Sequence, residues 1–175
     1  MDFIQDAYLA IRDFMELGGP VLNLIALTIF VMWLLIIERM IFFRSRLREM
    51  TAETKTAWES RPERRSWNAH RIREAMVSRV DMAANSSLAM IKTFVALCPL
   101  LGLLGTVTGM IGVFGVMAAS GSGNVRAMAA GVSQATIPTM AGMVGALSGV
   151  LMVTLLTRRA AREVELLDDS LTMDH

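Results

Sequence analysis

Cysteine occurs once in these 175 residues, at Cys98, and histidine twice, at His70 and His175. One cysteine excludes an internal disulfide, and beside Pro99 in an apolar run it reads as a small packing residue. The histidines lie too far apart in sequence to resemble a metal-ligand motif, so no metal or other cofactor is expected. No glycine-rich loop ends in Lys-Ser or Lys-Thr, and no Ser-His-Asp pattern is present, which argues against an enzyme. Charge is missing from three long stretches, 17–37, 93–125 and 127–157. Each is long enough for a helix of about 20 residues to cross a roughly 30 Å hydrocarbon core.

What fills these stretches differs. The first contains VLNLIALTIFVMWLLII, large aliphatic residues with few small ones, as a lipid-facing helix requires. The other two contain CPLLGLLGTVTGMIGVF and GVSQATIPTMAGMVGALSG. There Gly, Ala, Ser, Thr and Pro recur where a lipid-solvated span would carry Leu, Ile and Val, so these two pack on other helices and line something.

The spacing of the small residues says how. Gly102, Gly105, Gly109 and Gly112 step by three, four and three, while Gly131, Ala135, Pro138, Gly142, Gly145 and Gly149 step by four, three, four, three and four. Both are seams near a 3.5-residue period that let helix backbones approach closely. Thr106 lies beside the first seam and Thr139 beside the second. A membrane threonine commonly bonds a carbonyl of its own preceding turn, so each alone is unremarkable. Two of them, beside two seams, in the two most polar spans, form a candidate site.

Charge then orients the chain. Residues 1–19 hold Arg12 against Asp2, Asp6, Asp13 and Glu16, whereas the segment from Glu38 to Lys92 holds twelve Lys and Arg, and Arg158, Arg159 and Arg162 follow the last span. Basic residues near span ends stay on the cytoplasmic side, which predicts the N-terminus outside and the C-terminus inside. The acidic start lacks the basic region of a secretory signal, so the first span is read as retained.

The expected organisation is an all-α membrane protein. It comprises an amphipathic periplasmic helix over 1–18, with Ile4, Tyr8, Ile11 and Met15 on one face, and a first span over 19–38. A charged helical cytoplasmic segment, 39–92, is divided at Arg61-Pro62. A second span covers 93–118, a periplasmic connection 119–128, a third span 129–157, and a cytoplasmic tail 158–175. Arg61, Arg64, Arg65, Arg71 and Arg73 are read as a solvated face near anionic phospholipid headgroups, not as a nucleic-acid site.

The run Pro99-Leu100-Leu101-Gly102-Leu103-Leu104-Gly105-Thr106-Val107-Thr108-Gly109-Met110 resembles the second-span signature of the ExbB/TolQ/MotA proton-channel family, and Gly131 to Gly142 is similar to the matching third-span motif. Among its branches the chain looks most like a short ExbB of an auxiliary TonB system. The resemblance implies an inner-membrane homopentamer whose second and third spans surround a pore. It also implies an ExbD-like single-span partner bearing a membrane aspartate, and a TonB-like protein that receives the work for nutrient uptake. Alternatives are a TolQ-like subunit of the Tol-Pal envelope system, or a membrane scaffold without proton coupling. By carry-over, Thr106, Thr139 and Gln134 line the proton path. Gln134 stands where many relatives have a glutamate, and Ala146-Leu147-Ser148-Gly149 replaces their Ala-Ile-Pro. The residues agree with the resemblance on one point: none of the three spans carries an internal acid, so a proton-transporting group must be borrowed.

Overall fold

The computed structural model describes residues 2–120 and 125–172, and among them every regular element is a helix: α1 Asp2–Arg44, α2 Arg46–Glu59, α3 Trp67–Asn85, α4 Leu88–Ser120 and α5 Val125–Ser170. Three helical stretches, Gly18–Glu59, Trp67–Ala118 and Met128–Ser170, are long and apolar enough to cross a membrane. Part of the 119–128 connection and the side chains of Ile4 and Tyr8 lie outside the described residues, while Ile11 is exposed.

The helix breaks have local causes. In α1 the helical dihedrals fail at Gly19, with φ 66° and ψ −166°, immediately before Pro20. That backbone region is open essentially to glycine alone, and a proline favours an extended residue before it, so the Gly-Pro pair turns the chain where the sequence places the start of the first span. Between α2 and α3 the chain leaves the helix at Glu59, passes Arg61-Pro62, and re-enters at Trp67. Ser66 caps α3 by accepting from the backbone N–H of Ala69 at 3.3 Å. Two serines, Ser86 and Ser87, separate α3 from α4.

The chain forms two compact units. The first, Met1–Met32 with Thr93–Val150, packs the early part of α1 on α4 and α5. Its interior is built from Leu22, Ile25 and Met32 together with Val95, Cys98, Ala135 and Ala146. Large residues come from α1 and small ones from α4 and α5, so the close approach belongs to the latter pair.

The second unit comprises Trp33–Lys92 and Leu151–His175. Ile36, Phe43, Leu47, Trp58, Val80, Leu88, Ile91, Leu156, Leu167 and Leu171 are among its buried apolar residues. The charged segment therefore closes its core with the end of α5, and the stretch after Arg158 is a structural helix through Ser170. Trp58, 1% exposed, donates its indole N–H to the Thr172 carbonyl at 3.0 Å. Arg73 donates to the carbonyls of Leu171 at 2.8 Å and Asp168 at 2.6 Å, and pairs with the Asp168 carboxylate at 2.9 Å. A cation on carbonyls at a helix C-terminus satisfies acceptors that have no partner within the helix.

Within the arginine run, Arg71 keeps to a solvated face while Arg73 does not. Arg73 holds the end of α5, and Arg71 pairs with Glu74 at 3.0 Å and lies over the Trp67 ring at 5.2 Å. From Arg158 to Ser170, α5 extends about 20 Å at 1.5 Å per residue. The Trp58–Thr172 and Arg73–Leu171 bonds place the α2–α3 loop at that far end.

Candidate functional site

The site is assembled in the first unit, where α4 and α5 run antiparallel along their small residues. A Cβ on Gly142 would lie 2.5 Å from the Cys98 carbonyl oxygen, and one on Gly102 would lie 3.0 Å from the Thr139 Cα. A Cβ on Gly109 would lie 2.6 Å from that of Ala135, while one on Gly105 would strike the Pro138 ring and one on Gly131 the Val113 side chain. The contact order 98–142, 102–139, 105–138, 109–135 and 113–131 is a continuous ladder within one chain. Gly145 and Gly149 turn partly toward α1, meeting Ile29 and Met32, and Gly112 meets nothing within 4 Å. Thus most of the two small-residue seams face each other inside the subunit.

Thr139 uses this proximity. Its hydroxyl donates to the carbonyl of Gly102 at 2.9 Å, across the helix pair. In a helix that carbonyl is also the acceptor for the N–H of Thr106, so one oxygen links the two threonines. Thr106 itself donates its hydroxyl to Leu103 of its own helix at 2.7 Å. Pro138, just before Thr139, has no N–H to give to the Gln134 carbonyl, which frees a polar backbone group within the span.

Where these groups point follows from α1. Val21 lies against Gly105 and Ile29 against Gly145, so α1 sits along one side of the α4–α5 pair. At about 100° per residue, Thr106 lies about 100° around α4 from Gly105, and Thr139 about 120° around α5 from Gly145. Both threonines occupy the edge away from α1.

Gln134 does not join them. It is five residues before Thr139, about 140° around the helix. It lines a groove of about 670 Å³ on the α1 side, with Gly18, Pro20, Val21, Thr108 and Gly112. Thr108 was not singled out by the sequence reasoning, though it stands in the same Gly-Thr-Val-Thr-Gly run. Its hydroxyl donates to the Leu104 carbonyl at 3.0 Å.

Arg39, which in sequence only marks with Glu38 the first span's entry into the cytoplasm, has a structural task as well. Arg39, only 4% exposed, donates to the Ala83 carbonyl at 3.1 Å, to the Ser86 hydroxyl at 2.6 Å and to the Ser87 hydroxyl, with its guanidinium 4.5 Å from the Phe42 ring centroid. It sits two positions beyond the end of an uncharged run, where a basic residue is ordinarily a solvated boundary mark, and only the fold shows that it fastens the α3–α4 break.

Chemically, the spans offer hydroxyls, an amide and freed carbonyls, and no residue among 93–125 or 127–157 is an Asp, Glu or His. Such a surface can solvate a proton carrier but cannot act as one. A profile of the MotA/TolQ/ExbB proton channel family matches residues 38–169. Comparison with curated proteins returned no match. The profile covers well over half the chain, takes in both threonine-bearing helices, and describes proteins that move protons through apolar spans. By that extent of agreement, the chain belongs to the MotA/TolQ/ExbB proton channel family.

Proposed function

We propose that this chain is an ExbB-like subunit of an inner-membrane proton channel and stator, assembled as a homopentamer around an ExbD-like single-span partner. In this reading the partner's membrane aspartate carries the proton, and Thr106 and Thr139 hydrogen-bond it as its charge changes. The resulting motion is delivered to a TonB-like protein for nutrient uptake across the outer membrane. One observation carries the reading: paired threonines share an edge of the α4–α5 hairpin, yet the spans contain no internal carboxylate of their own. A carboxylate in apolar surroundings is stabilised in its charged form by hydrogen-bond donors, so each threonine would turn its single O–H from the Leu103 or Gly102 carbonyl to the carboxylate, and accept a hydrogen bond from the acid once it is protonated.

The reading is tested by proton flux into liposomes. The chain alone is expected to be silent, the chain with a single-span partner to conduct, and the partner's Asp→Asn variant to abolish conduction. Conduction by the chain alone at the level of the complex would overturn it. Complementation then separates the branches: restored TonB-dependent uptake supports the ExbB assignment, and restored outer-membrane integrity alone supports the Tol-Pal assignment instead.

A further inference from the structure

The ladder between α4 and α5 sets heights as well as contacts. Gly105 meets Pro138, and Gly109 meets Ala135. In an antiparallel pair these two rungs bracket one height, at which Thr106 of α4 stands level with residues 136 and 137 of α5. Position 136 is a further threonine. It lies three residues before Thr139, and about 60° from it around the helix. From Gly145, which meets α1, it lies nine residues and so about 180° away. Thr136 therefore points away from α1, on the edge that Thr106 and Thr139 share, and it is exposed there.

The bonds of the three hydroxyls separate them into two kinds. Thr136 donates to the Ser133 carbonyl at 2.7 Å and Thr106 to the Leu103 carbonyl at 2.7 Å, each within its own helix. Turning such an O–H elsewhere breaks no contact between helices. Thr139 is different, because its bond to the Gly102 carbonyl joins α4 to α5. Along the same edge of α5, Val132 lies on one side of the threonines and Met143 and Leu147 on the other, all three exposed and within about 80° of Thr139 around the helix. Hydroxyls on this edge are thus confined to a band about one turn deep, with apolar surface before and after it. A carboxylate at that height meets donors, and a turn away it meets none from this edge.

We propose that Thr136 is a third hydroxyl of the site, donating to the partner's aspartate beside Thr106 and Thr139. This rests on the partner-aspartate reading above. An ionised carboxylate has about four acceptor sites, so two donors leave it under-satisfied in apolar surroundings, and a third further stabilises the charged form. With Thr106 on α4 and Thr136 on α5 at one height, each helix supplies a donor that can turn without loosening the pair. Thr108 provides the contrast. It too bonds only carbonyls of its own helix, those of Leu104 at 3.0 Å and Gly105 at 3.1 Å, but it lines the groove on the α1 side.

Proton flux of the complex in liposomes, at matched protein amounts, tests this. Thr136→Val is expected to lower flux several-fold with an unchanged melting temperature, Thr136→Ser to keep most of it, and Thr108→Val to behave as the parent. The acid limb of the flux–pH curve should also move toward higher pH in Thr136→Val, because a carboxylate that loses a donor holds its proton more tightly. No Asp, Glu, His, Lys or Arg lies among residues 17–37, 93–125 or 127–157, and Cys98 is buried, so the packed spans bring no charged group of their own to that limb. Parent-like flux and pH dependence in Thr136→Val, beside a loss in Thr106→Val, would overturn the assignment of Thr136 and leave the channel reading standing. Equal losses in Thr136→Val and Thr108→Val would overturn it as well, since the edge would then not matter. A loss accompanied by a lower melting temperature, and not restored by Ser, would make Thr136 a packing residue. If the parent complex is itself silent, the channel reading falls first, and that control tells the two failures apart.

Discussion

At the scale of single residues, the two threonines differ in a way that their symmetrical placement in sequence conceals. Thr139 spends its hydroxyl across the helix pair, on Gly102, whereas Thr106 bonds within its own helix at Leu103. Replacing Thr139 by Val keeps volume and removes a donor whose loss costs about 1 kcal/mol. Replacing Thr106 by Val removes no contact between helices. If both hydroxyls serve the partner's aspartate, Thr106→Val is expected to reduce proton flux sharply with an unchanged melting temperature. Thr139→Val should reduce flux and lower the melting temperature slightly, and Thr→Ser at either position should retain much of the flux. Gln134→Ala should be milder than either, since its amide lies on the α1 side and cannot titrate. Flux and thermal melting of the reconstituted complex, at matched amounts, decide this. Parent-like flux from both Val variants would make the threonines ordinary packing residues.

At the scale of helices, the α4–α5 ladder depends on positions where a side chain has no room. Gly142 is the tightest against backbone, because its added methyl would lie 2.5 Å from a carbonyl oxygen that cannot swing away. Gly112 belongs to the same sequence seam but faces open space. Gly142→Ala is therefore expected to destabilise the subunit by about 1–3 kcal/mol, as overpacking does, and Gly112→Ala to be neutral. Limited proteolysis and thermal melting in detergent would show the contrast, and equal behaviour of the two variants would count against the ladder. Much of this element level was legible in sequence: uncharged runs marked the spans, and the 3.5-residue recurrence marked which helices approach closely. What the recurrence could not say is whether a seam meets its own chain or a neighbour, because both use the same small residues. Nor could local pattern reveal the end of α5 as part of a core. Leu167 and Leu171 are separated by acids, and their burial depends on Trp58 and Arg73, about a hundred residues earlier. Arg39 was hidden for the same reason: a buried guanidinium is satisfied by carbonyls and hydroxyls that only the α3–α4 turn brings to it.

At the scale of the whole chain, the charge count and the fold bear on the same question of sidedness. Twelve Lys and Arg between Glu38 and Lys92, with three more at Arg158, Arg159 and Arg162, would have to cross the membrane if the chain were inserted the other way. Moving such residues through hydrocarbon costs about 2.5–3.5 kcal/mol each even on insertion scales, so their distribution dominates orientation. The second unit adds a further obstacle, since residues 33–92 and the end of α5 fold together around Trp58 and would have to be translocated before folding. Single cysteines at Ser60, in the α2–α3 loop, and at Arg126, at the start of α5, in a background with Cys98→Ala, are therefore expected to sit on opposite sides. An impermeant maleimide applied to intact cells should label position 126 and spare position 60, and permeabilisation should expose both. Removing Arg126 takes away one basic residue from the outer side, which biases the variant further toward the expected orientation, so inversion cannot be an artefact of that substitution. Labelling at 60 without 126 would invert the chain and place the proton supply on the wrong side for inward flow to drive the proposed motion.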